Sequence, residues 1–277
     1  MNLGSLGVSS ARDSGVILVS GTSSGLGRYL SERFKSVSFR RSEGIDQFRQ
    51  IEFQAVVHCA FRSQRIIPDA DLYDYFDDNT LLTSRLASLR FRKFIFLSTV
   101  DVYPRNGKLH RECDQIRLGD QESAYGITKL LSETIVRRFC ADHLILRPTS
   151  MLGDYIRPTM LSRLLLAPDS ALRLSGDSSF NYINHTDVGD FIEAALQQDL
   201  SGSFNLASAS NVCLREIADA LCLNAKFGSH CYDSGQFDNS AATDFVAGLK
   251  RCSLDKVVEF AQRVRAGLLH FAPVRGG

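Results

Sequence analysis

The 277-residue sequence lacks several features that would direct it to particular partners. Its 32 Lys and Arg residues nearly equal its 31 Asp and Glu residues, and it has only 6 prolines. Without net basic charge or a basic stripe, we expect no nucleic-acid partner. No apolar run approaches the ~20 residues of a membrane-spanning helix, and residues 1–15 lack the layout of a secretory signal. These absences favour a soluble, cytoplasmic protein with no membrane partner.

The chain also lacks paired cysteines. Its seven cysteines are odd in number and include no C-x-x-C pair. Zinc sites usually gather ligands about two to four residues apart, which the nine-residue spacing of Cys213, Cys222 and Cys231 does not match. We therefore predict no metal site and seven reduced thiols.

Apolar, β-branched runs alternate with helical patterns through the first half of the chain. Strands are predicted at 16–20, 36–40, 55–59, 93–98 and 143–147, with helices at 25–34, 72–89 and 124–139. Strands separated by helices favour a parallel sheet covered on both faces. The pattern weakens after residue 150, where we predict a strand at 204–206 and helices at 214–222 and 253–268.

A glycine-rich turn joins the first predicted strand to the first helix. Residues 20–27 read SGTSSGLG, with glycines at 21, 25 and 27. Such a turn lets backbone amides approach a pyrophosphate at the helix N-terminus. Three glycines can also make a plain tight turn, but a strand before and a helix after favour dinucleotide binding.

The end of the second predicted strand bears on the choice of cofactor. An NAD enzyme usually carries an acid there for the ribose hydroxyls, whereas this strand ends in Arg40 and Arg41. Two guanidiniums suit a 2′-phosphate, so we favour NADP(H). The arginines can equally be solvated surface charges, and Glu43 or Asp46 would supply the acid for NAD(H) if the strand ends later.

Tyr125 and Lys129 stand four residues apart on a predicted helix, so their side chains share one face. An ammonium beside a phenol favours the phenolate and lowers its pKa from the usual ~10 toward neutrality, which suits acid–base work. An exposed Tyr–Lys pair is the common alternative.

Thr99 and Ser98 end a buried strand, where ligands collect in doubly wound sheets. A hydroxyl there can bind a reacting carbonyl oxygen, although we expect Ser98 to satisfy backbone groups.

With these residues in place, the chain resembles the extended short-chain dehydrogenase/reductases, the NAD-dependent epimerase/dehydratase family. Residues 56–60 (VVHCA) resemble its V-x-H-x-A strand, and Asn79 matches an asparagine on the next helix. Residues 97–103 (LSTVDVY) are similar to its S-[ST]-x-x-V-Y segment. Residues 146–153 (LRPTSMLG) resemble its R-P segment, and residues 182–188 (YINHTDV) its F-I-H-V-x-D-V return segment.

The resemblance implies a fold and a set of roles. The fold is an α/β, Rossmann-type doubly wound parallel sheet with a small, mostly C-terminal substrate domain. Tyr125 would exchange a proton with the substrate, Thr99 would position its oxygen, and Lys129 would hold the ribose and tune the phenol. The implied cofactor-binding residues are Gly21, Ser23, Ser24, Gly25, Leu26, Gly27, Arg40, Arg41, Cys59, Ala60, Asn79, Ser98, Tyr125, Lys129, Pro148 and Ser150.

Departures from the family pattern narrow the choice of reaction and substrate. Dehydratases carry two acids after the catalytic Thr, but this chain has Val100 and Asp101. Members that bind sugar nucleotides usually place an Arg where Phe180 aligns, and Ser150 replaces a substrate-contacting Asn. These four residues and Thr99 are the expected substrate contacts. Arg157, Arg163 or Arg173 would have to replace the missing Arg.

Three functions remain open. The first is NADPH-dependent reduction of a ketone, such as the 4-keto group of a nucleotide-linked deoxysugar; the second is NAD-dependent epimerisation of a nucleotide sugar. The third is a non-catalytic NADP(H) sensor. The expected organisation is a flexible lead-in (1–14), a dinucleotide-binding domain (15–150, with a return segment at about 181–207) and a substrate domain (151–180 and 208–277). The resemblance is compatible with a homodimer.

Overall fold

The fold is taken from a computed structural model of the chain. It describes residues 15–64, 67–121, 123–156, 159–167 and 171–271. The predicted lead-in, 1–14, and Arg157 lie outside these ranges. No helix in the described ranges is long and apolar enough to cross a membrane.

Strands and helices alternate along the chain as the sequence predicts. The strands are β1 Ile17–Ser20, β2 Val37–Phe39, β3 Glu52–His58, β4 Arg90–Leu97, β5 Leu109–His110, β6 His143–Pro148, β7 Ser150–Leu152, β8 Ser179–Phe180, β9 Tyr182–Asn184, β10 Gly202–Leu206, β11 Val212–Cys213 and β12 Gln236–Phe237. The α-helices are α1 Gly25–Arg33, α2 Leu72–Phe76, α3 Leu82–Ala87, α4 Ala124–Phe139, α5 Met160–Leu166, α6 His185–Gln197, α7 Leu214–Ala220, α8 Ser240–Thr243 and α9 Ser253–Arg265.

Six strands form the central sheet in the order β10-β6-β4-β3-β1-β2, and every neighbouring pair is parallel. The order reverses between β1 and β3, which makes a doubly wound sheet and confirms the predicted fold class. The strands are short apolar runs because both faces are covered: β1 is buried along its whole length. Ligands bind such sheets at the carboxyl ends of the strands.

A second core lies beside the sheet. It joins side chains of α5, β8, β9, α7 and α9, among them Leu161, Phe180, Ile217 and Phe260. The sequence did not reveal α5 or α6, because short apolar stretches after residue 150 carry little periodicity. The buried ion pair between Lys256 of α9 and Asp187 of α6, at 2.6 Å, links this core to the sheet layer.

The predicted helix at 72–89 is interrupted. Its middle, Asp77–Leu81, is a π-helix between α2 and α3. A π-turn inserts one extra residue and rotates the side chains that follow, and such turns occur frequently at functional sites. Here the turn carries Asn79, whose side chain is fully buried.

Two glycines allow β1 to turn directly into α1. Gly21 has φ +78°, and a Cβ on it would lie 2.7 Å from the Ala60 amide nitrogen. A Cβ on Gly27 would lie 2.7 Å from the carbonyl carbon of Gly21. Because the contacted atoms are backbone, neither clash can be relieved by a rotamer change.

We therefore expect Gly27→Ala to destabilise the protein by about 2 kcal/mol through overpacking. Chemical denaturation followed by circular dichroism measures the change. Gly119→Ala is the matched control, because a Cβ there meets nothing within 4 Å. Equal stability of the two variants would contradict the close packing of this turn.

Candidate functional site

A cleft of about 710 Å³ opens at the carboxyl ends of the parallel strands. The turn after β1, the end of β2 and the first residues after β3 form one side, and α4 contributes Tyr125 and Lys129. The predicted site residues that line it are Gly21, Ser23, Ser24, Gly25, Leu26, Gly27, Arg40, Arg41, Cys59, Ala60, Ser98, Tyr125 and Lys129. Motifs far apart in the sequence therefore meet in one cavity.

Lys129 is almost completely buried at the base of this cleft, with 2% of its surface exposed. Its Nζ donates a hydrogen bond to the Leu97 carbonyl oxygen and lies 3.7 Å from the centre of the Phe61 ring. Burial lowers the pKa of Lys129 to about 7, against the smaller opposing effects of Cys59 and Glu133. The amine can therefore lose or hold a proton near neutral pH.

Tyr125 stands one helical turn before Lys129 and is half-buried in the same cleft. Its ring centre lies 5.9 Å from the Lys129 Nζ and packs edge-on against Phe61 at 5.8 Å. Phe61 thus contacts both members of the pair. No sequence signal pointed to this residue, which directly follows the V-x-H-x-A strand.

Four of the predicted site residues surround the cleft without lining it, and their bonds show what they do instead. Thr99 accepts a hydrogen bond from the Asp101 amide, which leaves its own hydroxyl hydrogen available. Asn79 bonds both backbone groups of Arg62, so it holds the loop after β3. Pro148 ends β6, and the Ser150 amide donates to the Asn181 carbonyl as β7 pairs with β9.

The three expected substrate contacts that remain also lie outside this cleft. Val100 and Asp101 line a neighbouring cavity of about 150 Å³. Phe180 is buried in an aromatic stack, with ring centres 5.7 Å from Tyr182 and 4.9 Å from Tyr232. The position at which Phe180 stands in place of the Arg of the family pattern is therefore closed by aromatic packing.

A buried ion pair fixes α4 against the sheet. Glu133, one turn after Lys129, binds the guanidinium of Arg147 at 2.7 and 2.9 Å and accepts a hydrogen bond from Ser98 at 2.6 Å. Burial raises the pKa of Glu133, but its hydrogen bonds and charge interaction with Arg147 outweigh that effect and hold the pKa low. Arg147 also donates to the hydroxyl of Tyr103. The network joins α4, β4 and β6 next to the cleft.

His58 of β3 is buried, and both of its ring nitrogens lie within hydrogen-bond distance of side-chain hydroxyls. Its Nδ1 lies 2.7 Å from Ser20 Oγ, and its Nε2 lies 3.0 Å from Thr83 Oγ1. Burial lowers its pKa to about 3, so the ring is neutral. Ser20 Oγ also accepts from the amides of Cys59 and Ala60, which shapes the cleft wall.

The glycine turn offers backbone amides to an anion such as a pyrophosphate, but one of these amides already donates a hydrogen bond within the protein. The Gly25 amide donates to the Tyr155 carbonyl at 2.7 Å, and Arg28 lies 3.7 Å above the Tyr155 ring. Tyr155 adopts φ +62°, which is strained for a residue with a side chain. The amides of Leu26 and Gly27, in the first turn of α1, have no helical acceptor and can bind an anion. No sequence signal pointed to Tyr155.

The two arginines predicted to bind a 2′-phosphate stand at the cleft but differ in their pairing. Arg41 forms an ion pair with Asp78 on the π-turn. In the described part of the chain, no carboxylate side chain pairs with Arg40. Arg40 is therefore the more available cation.

Comparisons with known proteins agree with this geometry. The family model described as the NAD dependent epimerase/dehydratase family matches residues 17–207. No curated protein sequence matches the chain.

Similar solved structures share the fold at low sequence identity. MoeE5 in complex with UDP-glucose and NAD is 19% identical, with a TM-score of 0.77 over 91% of this chain and 99% of that one. A UDP-glucuronic acid 4-epimerase from Bacillus cereus is 18% identical, with a TM-score of 0.74 over 91% and 99%. A dTDP-4-dehydrorhamnose reductase from Clostridium acetobutylicum is 16% identical, with a TM-score of 0.74 over 90% and 99%.

Glu133→Gln tests the buried ion pair. Removing one partner leaves Arg147 buried without its counter-charge, which should cost about 3–5 kcal/mol of unfolding free energy. Denaturant titration measures it. The control is Glu259→Gln, which breaks an exposed pair with Arg251 and should cost at most about 1 kcal/mol. Similar small losses in both variants would show that the pair does not anchor α4.

Proposed function

The chain belongs to the NAD-dependent epimerase/dehydratase family, and from that premise we propose that it is an NADP(H)-dependent oxidoreductase that reduces a ketone. One observation carries the proposal: the Tyr125–Lys129 pair and the glycine turn line the same cleft. A Tyr–Lys pair with only a structural role would not require a glycine-rich turn in the same cleft. The family is one of NAD-dependent enzymes, which supports catalysis over cofactor sensing.

The residues divide the work as follows. When bound, the reduced nicotinamide supplies the hydride that the carbonyl carbon accepts. Tyr125 donates the phenolic proton to the carbonyl oxygen, and Thr99, which directly follows the cleft-lining Ser98, would donate its hydroxyl hydrogen to the same oxygen. Lys129, when protonated, stabilises the resulting phenolate and lowers the pKa of the phenol. Phe61 excludes water from the pair.

Domain roles follow from the two cores. We propose that residues 15–150, with the return segment at about 181–207, bind the dinucleotide. Residues 151–180 and 208–277 would hold the substrate, because Ile156 of their core also lines the cleft. The aromatic stack around Phe180 supports a substrate that is not gripped through a diphosphate at that position. A 4-keto sugar attached to a nucleotide would need another cation, such as Arg163 or Arg173.

Epimerisation is the second candidate. It is favoured by the likeness to MoeE5 and to the Bacillus cereus 4-epimerase, both solved with NAD and a UDP-linked sugar. An epimerase returns its cofactor unchanged and holds it tightly. If the purified protein carries bound NAD and isomerises a nucleotide sugar, epimerisation replaces reduction as the proposed function.

Tyr125→Phe tests the proton donor. Loss of the hydroxyl should lower kcat for NADPH oxidation by about 10²- to 10⁴-fold while NADPH binding stays unchanged. Turnover is read at 340 nm against a panel of ketones that includes nucleotide-linked 4-keto sugars. Tyr73→Phe, at a ring that is 75% exposed, is the control. Undiminished turnover in Tyr125→Phe would place the proton donor elsewhere.

Combined substitution of Arg40→Ala and Arg41→Ala tests the cofactor preference. NADPH binding should weaken about tenfold or more, because two charge-assisted bonds to the 2′-phosphate are lost, and NADH binding should not change. Calorimetry gives both dissociation constants, with Arg85→Ala, an exposed cation paired with Asp77, as control. An equal loss for both nucleotides would contradict the preference for NADP(H).

A further inference from the structure

A histidine in the wall of the cleft has a buried nitrogen without a partner. His185 begins α6, is 3% exposed and lines the cleft beside the glycine turn. Its Nδ1 makes no hydrogen bond, and only Thr80 Oγ1 shares that condition among the buried side-chain atoms of the described residues. Because a buried N–H without an acceptor is costly, this nitrogen bears on which tautomer of the ring is present.

The packing around His185 determines which nitrogen carries the hydrogen. A Cβ added to Gly153 would lie 2.5 Å from Nδ1, so the Gly153 backbone packs directly against this atom. An N–H at Nδ1 would be buried without an acceptor, and its free-energy cost would exceed that of a buried lone pair at the same nitrogen. Burial lowers the pKa of His185 to about 4, against a smaller opposing effect of Asp154, so the ring is neutral near pH 7. The hydrogen therefore belongs on Nε2.

Nε2 is the nitrogen that reaches the cleft. The ring of His185 makes no hydrogen bond to any described residue, yet of its two nitrogens only Nδ1 is both buried and unpartnered. Nε2 is therefore in contact with solvent, and the solvent beside this residue fills the cleft. The ring centre lies 5.7 Å from that of Tyr29, which stands one turn after Gly25 in α1. That contact places His185 beside the first turn of α1.

We propose that His185 is a further cofactor-binding residue, whose Nε2–H donates a hydrogen bond to a pyrophosphate oxygen of the dinucleotide. The inference rests on the proposed function. It also accounts for the Gly25 amide, which the Tyr155 carbonyl occupies: the first turn of α1 offers one backbone donor fewer, and His185 supplies another. The return segment of the family carries Val where this chain has His185, so the donor is a feature of this chain.

Calorimetry on the full chain tests the proposal with whichever of NADPH and NADH the unaltered protein binds more tightly. His185→Val should weaken binding about ten- to a hundredfold, as expected for a lost hydrogen bond to a charged group. His185→Gln, which keeps an N–H at similar reach, should recover most of that loss. His143→Gln, at a half-buried histidine bonded to the Cys140 carbonyl outside the cleft, should bind like the unaltered protein.

A probe without pyrophosphate separates this role from general damage. Binding of 2′-AMP should be the same in His185→Val and the unaltered protein, and a loss equal to that of the dinucleotide would overturn the proposal. Unchanged dinucleotide binding in His185→Val would overturn it while leaving the proposed function standing. If the unaltered protein bound neither NADPH nor NADH, the proposed function would fall, and this inference with it.

Nitrogen-15 NMR of the unaltered protein gives a test that no variant's folding can affect. We expect His185 in the Nε2–H form, with the Nε2 and proton signals shifting when the dinucleotide is added and Nδ1 remaining unprotonated. An Nδ1–H form, or an Nε2 signal that does not respond to saturating dinucleotide, would contradict the assignment.

Discussion

The buried ion pair between Glu133 and Arg147 is the interaction on which the site depends. Glu133 lies on α4 and Arg147 on β6, and Ser98 at the end of β4 binds the same carboxylate. Two charges in an apolar interior are tolerated only with good geometry and full hydrogen bonding, and both conditions are met here. Because Lys129 stands one turn before Glu133, the pair sets how the side of α4 that bears Tyr125 and Lys129 faces the strand ends.

Electrostatics at the cleft follow from that placement. Lys129 is pressed between the aromatic rings of Phe61 and Phe96, so burial opposes its charge. The Leu97 carbonyl and the two ring faces favour the ammonium in turn. The balance gives an amine whose protonation changes near neutral pH. Water would screen the charge of a solvated lysine from Tyr125 more strongly than this apolar surrounding does.

Local sequence patterns predicted the fold and those parts of the candidate site whose residues lie close together in the sequence. Tyr125 and Lys129 are four residues apart on one helix, and the three glycines lie within residues 21–27, so both spacings can be read from the sequence. Contacts between residues that only the fold brings together were not predictable. Glu133 of α4 binds Arg147 of β6, and Phe61 packs against Tyr125 from the loop after β3. Tyr155, which accepts a hydrogen bond from the Gly25 amide, lies in a segment with no periodicity. The aromatic stack at residue 180 likewise forms only when β8 meets the loop that bears Tyr232.

We propose above all that the cleft at the strand ends holds a nicotinamide dinucleotide with its reactive ring beside Tyr125. Difference density from crystals grown with NADP⁺ tests this most directly. We expect pyrophosphate density against the amides of Leu26 and Gly27, and a nicotinamide ring in contact with Tyr125 and Lys129. Nucleotide density at another surface, or a Tyr125 ring turned away from the bound nicotinamide, would contradict it.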